Sequence, residues 1–258
     1  MRKCEYLETA IEAAAAAADV IKHYYKADSF RVEQKNDRTP VTVADVESEK
    51  VIKGVIATKF PAHGFLGEET GRENIENDYV WLVDPIDGTK SFIRQIPFFS
   101  TQIALMYRGE FIVGVSNAPV FGELAFAAKD QGAYLNDARL QVSRVAALDE
   151  ATLSLGNIRT LAGSDRWSHL GNLIQRVNRV RGYGDFSHYH LLASGRLDVV
   201  IESDVNILDV AALSVIVREA GGVWTDLAGR PPGLTTTTVL AANSAAMHRA
   251  ILDVLQTA

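Results

Sequence analysis

The run Asp84-Pro85-Ile86-Asp87-Gly88-Thr89 constrains this chain more than any other segment. It follows an apolar, strand-like stretch, Tyr79-Val80-Trp81-Leu82-Val83, so two carboxylates sit three residues apart where a strand gives way to a turn. Pro85 fixes φ and donates no hydrogen bond, which favours an extended exit from the strand. The Ile86 carbonyl lies between the two carboxylates, and one short segment therefore offers several hard oxygen ligands of the kind Mg²⁺ takes. Gly88 permits close backbone approach by a ligand. Thr89-Lys90-Ser91-Phe92-Ile93 can open a helix, and helix N-termini bind phosphate. Taken alone, Asp-x-x-Asp-Gly is more often a plain strand end with an Asp-Gly turn. The rest of the chain decides between the two.

Composition narrows the classes. The 258 residues are 47% hydrophobic and 22% charged, an ordinary globular balance. That length buries a large core, as one domain or as two closely packed lobes. The net charge of −6, without any Lys/Arg block, argues against nucleic acid as the main partner. The single cysteine, Cys4, excludes an intrachain disulfide and fits a reducing cytoplasm, the expected location. The most apolar stretch, Ala10 to Ala18, is interrupted by Glu12 and followed by Asp19 and Lys22. It is too short and too charged for a membrane span and lacks the layout of a signal peptide. A closely packing Ala-rich helix is the better reading.

Hydrophobic spacing predicts helices over residues 5–25 and 45–59. A turn at Asn36-Asp37-Arg38-Thr39-Pro40 separates them. A turn at Pro61-Ala62-His63-Gly64 leads into Phe65 to Glu69, and strands follow at Thr101 to Met106 and at Phe111 to Val115. A meander continues through Glu123 to Ala127 and Gly132 to Leu135. The second half alternates: strands at 152–155, 180–183, 197–201, 223–225 and 239–243, helices at 167–177, 188–194 and 209–220, and a closing helix. Gly221-Gly222 stops the 209–220 helix. Asp45 and Asp209 read locally as N-caps. One domain over 1–258 is expected, divided into lobes near residues 147 and 148.

Four segments in order carry a resemblance. They are Pro40-Val41-Thr42-Val43-Ala44-Asp45, Gly67-Glu68-Glu69-Thr70, Asp84-Pro85-Ile86-Asp87-Gly88-Thr89, and Leu208-Asp209-Val210-Ala211-Ala212 with Glu219-Ala220-Gly221-Gly222. Together they resemble the inositol monophosphatase superfamily of Mg²⁺-dependent, lithium-sensitive phosphatases, over essentially the whole chain. The resemblance implies a layered α/β/α/β/α sandwich with two largely antiparallel sheets, assembled as a homodimer. One position departs: Leu208 stands where the family usually has Trp, while the adjoining carboxylate, Asp209, is kept.

Phosphomonoester hydrolysis needs an activated water, neutralised phosphoryl oxygens and help for the leaving alkoxide; paired metals ~3.5–4 Å apart supply all three. Oxygen-only ligands favour Mg²⁺, with Mn²⁺ able to substitute, over zinc. By resemblance, Glu68, Asp84 and the Ile86 carbonyl hold a first ion, and Asp84, Asp87 and Asp209 a second. Glu68 would also orient a third, weaker ion beside the attacking water. Thr89, hydrogen-bonded to Asp45, is the expected water-activating hydroxyl. The N–H groups of Gly88 and Thr89, joined by Lys90, are expected to bind phosphate, and Lys35 reads as a surface lysine. His188-x-His190 falls in a helix, where that spacing does not bring the rings together, and a structural or substrate-contact role is expected. Gly182-x-Gly184-x-x-Ser187 lacks the third glycine of a dinucleotide loop.

Substrate choice is carried by fewer residues. Thr39-Pro40-Val41-Thr42, Lys90-Ser91-Phe92-Ile93-Arg94 and Gly184-Asp185 resemble the histidinol-phosphate phosphatase branch. Asp185 or Glu202 could pair with the ammonium of L-histidinol phosphate, and a small phosphorylated metabolite is the expected partner. Inositol monophosphate is the alternative, followed by 3′-phosphoadenosine 5′-phosphate or a sugar bisphosphate.

Overall fold

The computed structural model describes residues 4–26, 32–34 and 40–256. The turn expected at Asn36 to Thr39 and the surface Lys35 lie outside them. The first half runs α1 (Glu5–Tyr25), β1 (Val32–Gln34), β2 (Pro40–Thr42), α2 (Val43–Lys59), β3 (Gly64–Gly67), β4 (Gly71–Glu73), β5 (Tyr79–Asp87) and α3 (Thr89–Ile93). A meander follows: β6 (Ser100–Tyr107), β7 (Glu110–Ala118), β8 (Glu123–Ala128), β9 (Ala133–Leu135) and β10 (Ala138–Arg139). The second half comprises β11 (Thr152–Gly156), α4 (Ile158–Ala162), α5 (Trp167–Arg176), β12 (Arg179–Arg181), α6 (Asp185–Ala193), β13 (Val199–Ser203), α7 (Ile207–Glu219), β14 (Val223–Thr225), β15 (Thr238–Ala242) and α8 (Ala245–Gln256).

Eight strands form one sheet in the order β10-β9-β8-β7-β6-β5-β3-β4, antiparallel throughout except for β3 beside β5. Five form a second, β12-β11-β13-β15-β14. The expected antiparallel pairing holds for the larger sheet. In the smaller one β11 is parallel to both β12 and β13, and only the two pairs made by β15 are antiparallel. Helices α4, α5 and α6 intervene between these parallel strands and return the chain to the starting end of the sheet.

The layers follow from alternation along the strands. Trp81, Val83, Ile103 and Leu105 point to one side of the large sheet and pack on Leu7, Ala10, Ala14, Ala17, Ile52 and Ile56 of α1 and α2. Val80, Leu82 and Ala104 point to the other side, onto α6 and α7. Successive strand side chains face opposite ways, so a strand apolar at every position is buried on both faces. Helix α7 is buried nearly all round, from Ile207 through Val217, as befits a helix between two sheets. Leu208, where the superfamily usually has Trp, is buried in this middle layer. Beyond the small sheet, Leu170, Leu173, Met247 and Ile251 of α5 and α8 cover Leu153, Val199 and Leu240. The result is the expected α/β/α/β/α sandwich. Among the described residues, no helix is long and apolar enough to cross a membrane.

Candidate active site

The pairing of β5 with β6 explains why two aspartates three apart meet. Asp84 lies opposite Gln102, and the next pair is Asp87 opposite Ser100. Strand β5 thus uses three steps where β6 uses two, a β-bulge at Pro85-Ile86. On a regular strand, residues three apart face opposite sides. The extra residue turns Asp84 and Asp87 to the same side. The Ile86 N–H donates to Asp84 Oδ1 at 3.0 Å and Thr101 Oγ1 donates to the Pro85 carbonyl at 2.9 Å, which hold the bulge in place. The Ile86 side chain is buried in the core beneath, and its carbonyl accepts from Thr89 Oγ1 at 3.0 Å.

Two further carboxylates come from elsewhere. Asp209 enters from the first turn of α7, and one oxygen from each of Asp84, Asp87 and Asp209 lies within 4.8 Å of the others. Glu68 follows β3, which runs parallel to β5 with Gly67 beside Val83; its N–H donates to the Val83 carbonyl at 3.2 Å. Its side chain lies close enough to Asp84 to raise the pKa of that carboxyl. Burial pushes Asp84 well above the usual carboxylate range, reinforced by Glu68, Asp87 and Asp209. Asp87 is raised in the same way, by burial and then by Asp209, Asp185 and Glu202. Burial lifts Asp209 to about 7, with the Asn206 N–H opposing and Glu68 and Glu202 adding to the rise. Crowded, desolvated carboxylates repel one another until a cation neutralises them. The donor set is oxygen only, which suits a hard divalent ion such as Mg²⁺ or Mn²⁺.

Asp45 and Asp209 are not the N-caps that their local sequence suggested. Thr42 caps α2 and Asn206 caps α7, and each aspartate is the third helical residue of a capping box. The patterns Thr42-x-x-Asp45 and Asn206-x-x-Asp209 carry this signal, and each helix starts two residues before its aspartate. Asp45 is completely buried. Its Oδ2 accepts from the Thr42 N–H (2.8 Å) and Thr42 Oγ1 (2.5 Å), and its Oδ1 accepts from Thr89 Oγ1 at 3.2 Å. Burial raises its pKa and the Thr42 bonds oppose the rise. Gly88 caps the short helix α3 with a φ of 91°, a backbone shape that disfavours a side chain, and Lys90 is exposed on the same turn.

Asp185 and Glu202 line one cleft with Asp87 and Asp209. Asp185 opens α6 with a φ of 47°, a left-handed conformation costing roughly 1–3 kcal/mol outside glycine. Burial first, then Glu202, raises it to about 6, while His188 opposes. Glu202 Oε2 accepts from Tyr189 OH at 2.6 Å and lies 3.1 Å from His188 Nε2. With Nε2–H donating to that carboxylate, His188 Nδ1 accepts from Ser154 Oγ at 3.3 Å. His188 and His190 do point apart: His190 reaches Glu123 and Ser116 instead. The structural role expected of His188 takes the form of this contact to Glu202, whereas Asn157 and Tyr189 carry no local signal: they reach the cleft only because β11–β13 pairing sets 153–156 beside 199–202 and α6 packs on Glu202.

Comparison with known proteins agrees with this architecture. A sequence model of the inositol monophosphatase family matches residues 3–258. A histidinol-phosphatase of Chlorobaculum parvum is 36% identical over 93% of this chain and 92% of its own length. An inositol-1-monophosphatase of Caulobacter vibrioides is 33% identical over 96% of this chain and 100% of its own. The crystal structure of the extragenic suppressor protein suhB from Bartonella henselae superposes with a TM-score of 0.88 at 30% identity, covering 98% of each chain. With Asp84, Asp87 and Asp209 drawn together, Glu68 beside Asp84, Asp45 hydrogen-bonded to Thr89, and a family match over nearly its full length, this chain is a phosphatase that belongs to the inositol monophosphatase family.

Proposed function

We propose that the chain is a divalent-metal-dependent phosphomonoesterase whose principal substrate is L-histidinol phosphate. The observation that carries the substrate reading is the second acidic pair, Asp185 and Glu202, beside Asp87 and Asp209 in one cleft. A phosphate ester bound at the Asp84, Asp87 and Asp209 cluster would turn its alcohol portion toward that pair. Two desolvated carboxylates are better satisfied by an ammonium than by hydroxyls alone. Histidinol phosphate carries that ammonium and inositol phosphate does not. With a pKa near 6, Asp185 is ionised at neutral pH, and Tyr189 and His188 fix Glu202 in place.

Glu68, Asp84, the Ile86 carbonyl, Asp87 and Asp209 would hold Mg²⁺ or Mn²⁺, whose chemistry here is neutralisation of phosphoryl charge and acidification of water. Thr89 Oγ would accept a hydrogen bond from the attacking water; its single proton has both the Ile86 carbonyl (3.0 Å) and Asp45 Oδ1 (3.2 Å) within reach, and once the carbonyl serves the ion it is left to Asp45, the geometry of a base-oriented hydroxyl. The Gly88 and Thr89 N–H groups and Lys90 orient the phosphate.

The test is phosphate release from histidinol phosphate, inositol 1-phosphate and a small uncharged phosphate ester, by wild type and Asp185→Asn. Wild type should prefer histidinol phosphate. Unpairing a desolvated charge pair costs roughly 2–5 kcal/mol, so Asp185→Asn should lose at least ~10-fold in kcat/KM on that substrate and little on the uncharged ester. Equal losses on both would reject the ammonium-binding role. A wild-type preference for inositol phosphate, the substrate named for the Caulobacter relative, would reject the substrate assignment.

A further inference from the structure

One completely buried carboxylate stands outside the scheme above. Glu49 lies on α2 one turn after Asp45. Its Oε2 accepts from the Glu69 N–H at 2.8 Å and its Oε1 from the Thr70 N–H at 2.6 Å. Both belong to the short loop between β3 and β4, and the first residue of that loop is Glu68. Hydrogen bonds to an ionised acceptor are roughly twice as strong as neutral ones, and a pair to adjacent amides fixes orientation as well as position. Gly67 completes the fit. A Cβ there would sit 2.4 Å from Glu49 Oε1 and 2.6 Å from its Cδ, so the carboxylate occupies the space a side chain would take.

We infer that Glu49 is a positioning residue: it clamps the β3–β4 loop so that the Glu68 carboxylate is held against Asp84. The inference rests on the metal-site reading proposed above. Residues 45 and 49 stand one turn apart on a rigid helix, about 6 Å along its axis. Asp45 grips the Thr89 hydroxyl, and Glu49 grips the loop bearing Glu68. Helix α2 therefore sets the distance between the hydroxyl and the carboxylate cluster. Residues that orient metal-binding groups matter more to metal affinity than to folding, whereas a merely structural clamp would alter stability and leave affinity unchanged.

The test is Mn²⁺ titration of the substrate-free protein by isothermal calorimetry, with circular dichroism and melting in EDTA, on wild type, Glu49→Gln, Gly67→Ala and Asp87→Asn. The amide of Glu49→Gln keeps one acceptor and presents an NH₂ to the second amide. Mn²⁺ affinity should weaken ~10- to 100-fold in Glu49→Gln with a native spectrum, while kcat at saturating Mn²⁺ stays within ~3-fold. Gly67→Ala, which pushes on Glu49 from the other side, should weaken Mn²⁺ in the same direction. Undiminished Mn²⁺ binding by Asp87→Asn would overturn the metal-site reading itself. Loss of binding in Asp87→Asn with wild-type affinity in Glu49→Gln would overturn the Glu49 inference alone. If Glu49→Gln does not fold, Gly67→Ala decides: weakened Mn²⁺ in a native fold supports the inference. Wild-type affinity or failure to fold in Gly67→Ala overturns it.

Discussion

Helices α2 and α7 begin in the same way and end up doing different things. Each opens with a polar cap and an aspartate three residues later whose Oδ2 accepts the cap N–H, Thr42 with Asp45 and Asn206 with Asp209. Each aspartate then has its other oxygen to spare. In α2 it meets a hydroxyl, Thr89 Oγ1. In α7 the aspartate lies among two other carboxylates, Asp84 and Asp87. On the proposed reading, the same local motif yields a proton acceptor in one place and a cation ligand in the other. What an aspartate does is set by the group brought opposite it, and the helix start only aims it.

The largest effect should come from removing the ion that this reading gives to the α7 side. Treatment with EDTA should abolish phosphate release, and Mg²⁺ or Mn²⁺ should restore it. Full activity in chelator would break the comparison at its root. Asp87→Asn should likewise collapse activity while far-UV circular dichroism stays native.

Thr89→Ala and Asp45→Asn sharpen the comparison from the α2 side. Loss of a positioned proton acceptor costs typically ~10²- to 10⁴-fold, so kcat should fall by that order. Calorimetric Mn²⁺ affinity should stay near that of wild type. Asp209→Asn should do the reverse and lose Mn²⁺ affinity. If Thr89→Ala left turnover unchanged, its hydroxyl would have no part in the reaction.

The smallest effect is on stability and reports the repulsion directly. Asp209 has a folded pKa near 7 against an ordinary value of 3.8. Between those values the folded state holds more protons than the unfolded, so this contribution to stability falls as pH rises from about 4 to about 7. In EDTA, Asp209→Asn should therefore melt above wild type at pH 8, with the gap closing toward pH 4. Asn can still accept the Asn206 N–H, so the cap survives. Asp45 is also raised, but its Thr42 and Thr89 hydrogen bonds oppose the rise, so Asp45→Asn should gain less. Added Mn²⁺ should stabilise wild type at pH 8 and leave Asp209→Asn unmoved. Equal melting of Asp209→Asn and wild type at pH 8 in EDTA would show that the carboxylates there are not mutually destabilising.

Much of this was legible before any coordinates. The 3.6-residue and two-residue periods place α1, α2, α5, α7 and the β6–β9 meander nearly to their ends. Short elements such as α4, β4 and β10 escaped, because two to five residues carry too little periodicity. The carboxylates of the cluster were legible because they sit in compact motifs. Glu49 was not, although its place on the buried stripe with Ile52 and Ile56 is the available signal: a carboxylate on a core-facing helix position must have a partner. Tyr189 and Asn157 gave no such signal, since nothing local distinguishes them from other residues of α6 and the β11–α4 turn.

By itself the sequence determined the periods of its longer helices and strands and the chemistry of the Asp84–Thr89 segment, because each depends on residues close together in the chain; the layered sandwich and the candidate oxygen ligands came from the resemblance that four separated motifs carry together. Only the tertiary structure decided which ligands meet. The bulge at Pro85-Ile86 turns two aspartates to one side. The β3–β5 pairing sets Glu68 beside Asp84, and α7, held between two sheets, delivers Asp209 from more than a hundred residues away. The Asp185–Glu202 pair was fixed in the same way, by strand β13 and the packing of α6 beside it. Side-chain chemistry is local, but the low-dielectric crowding that gives it force requires distant segments to be buried together, and packing alone supplies that.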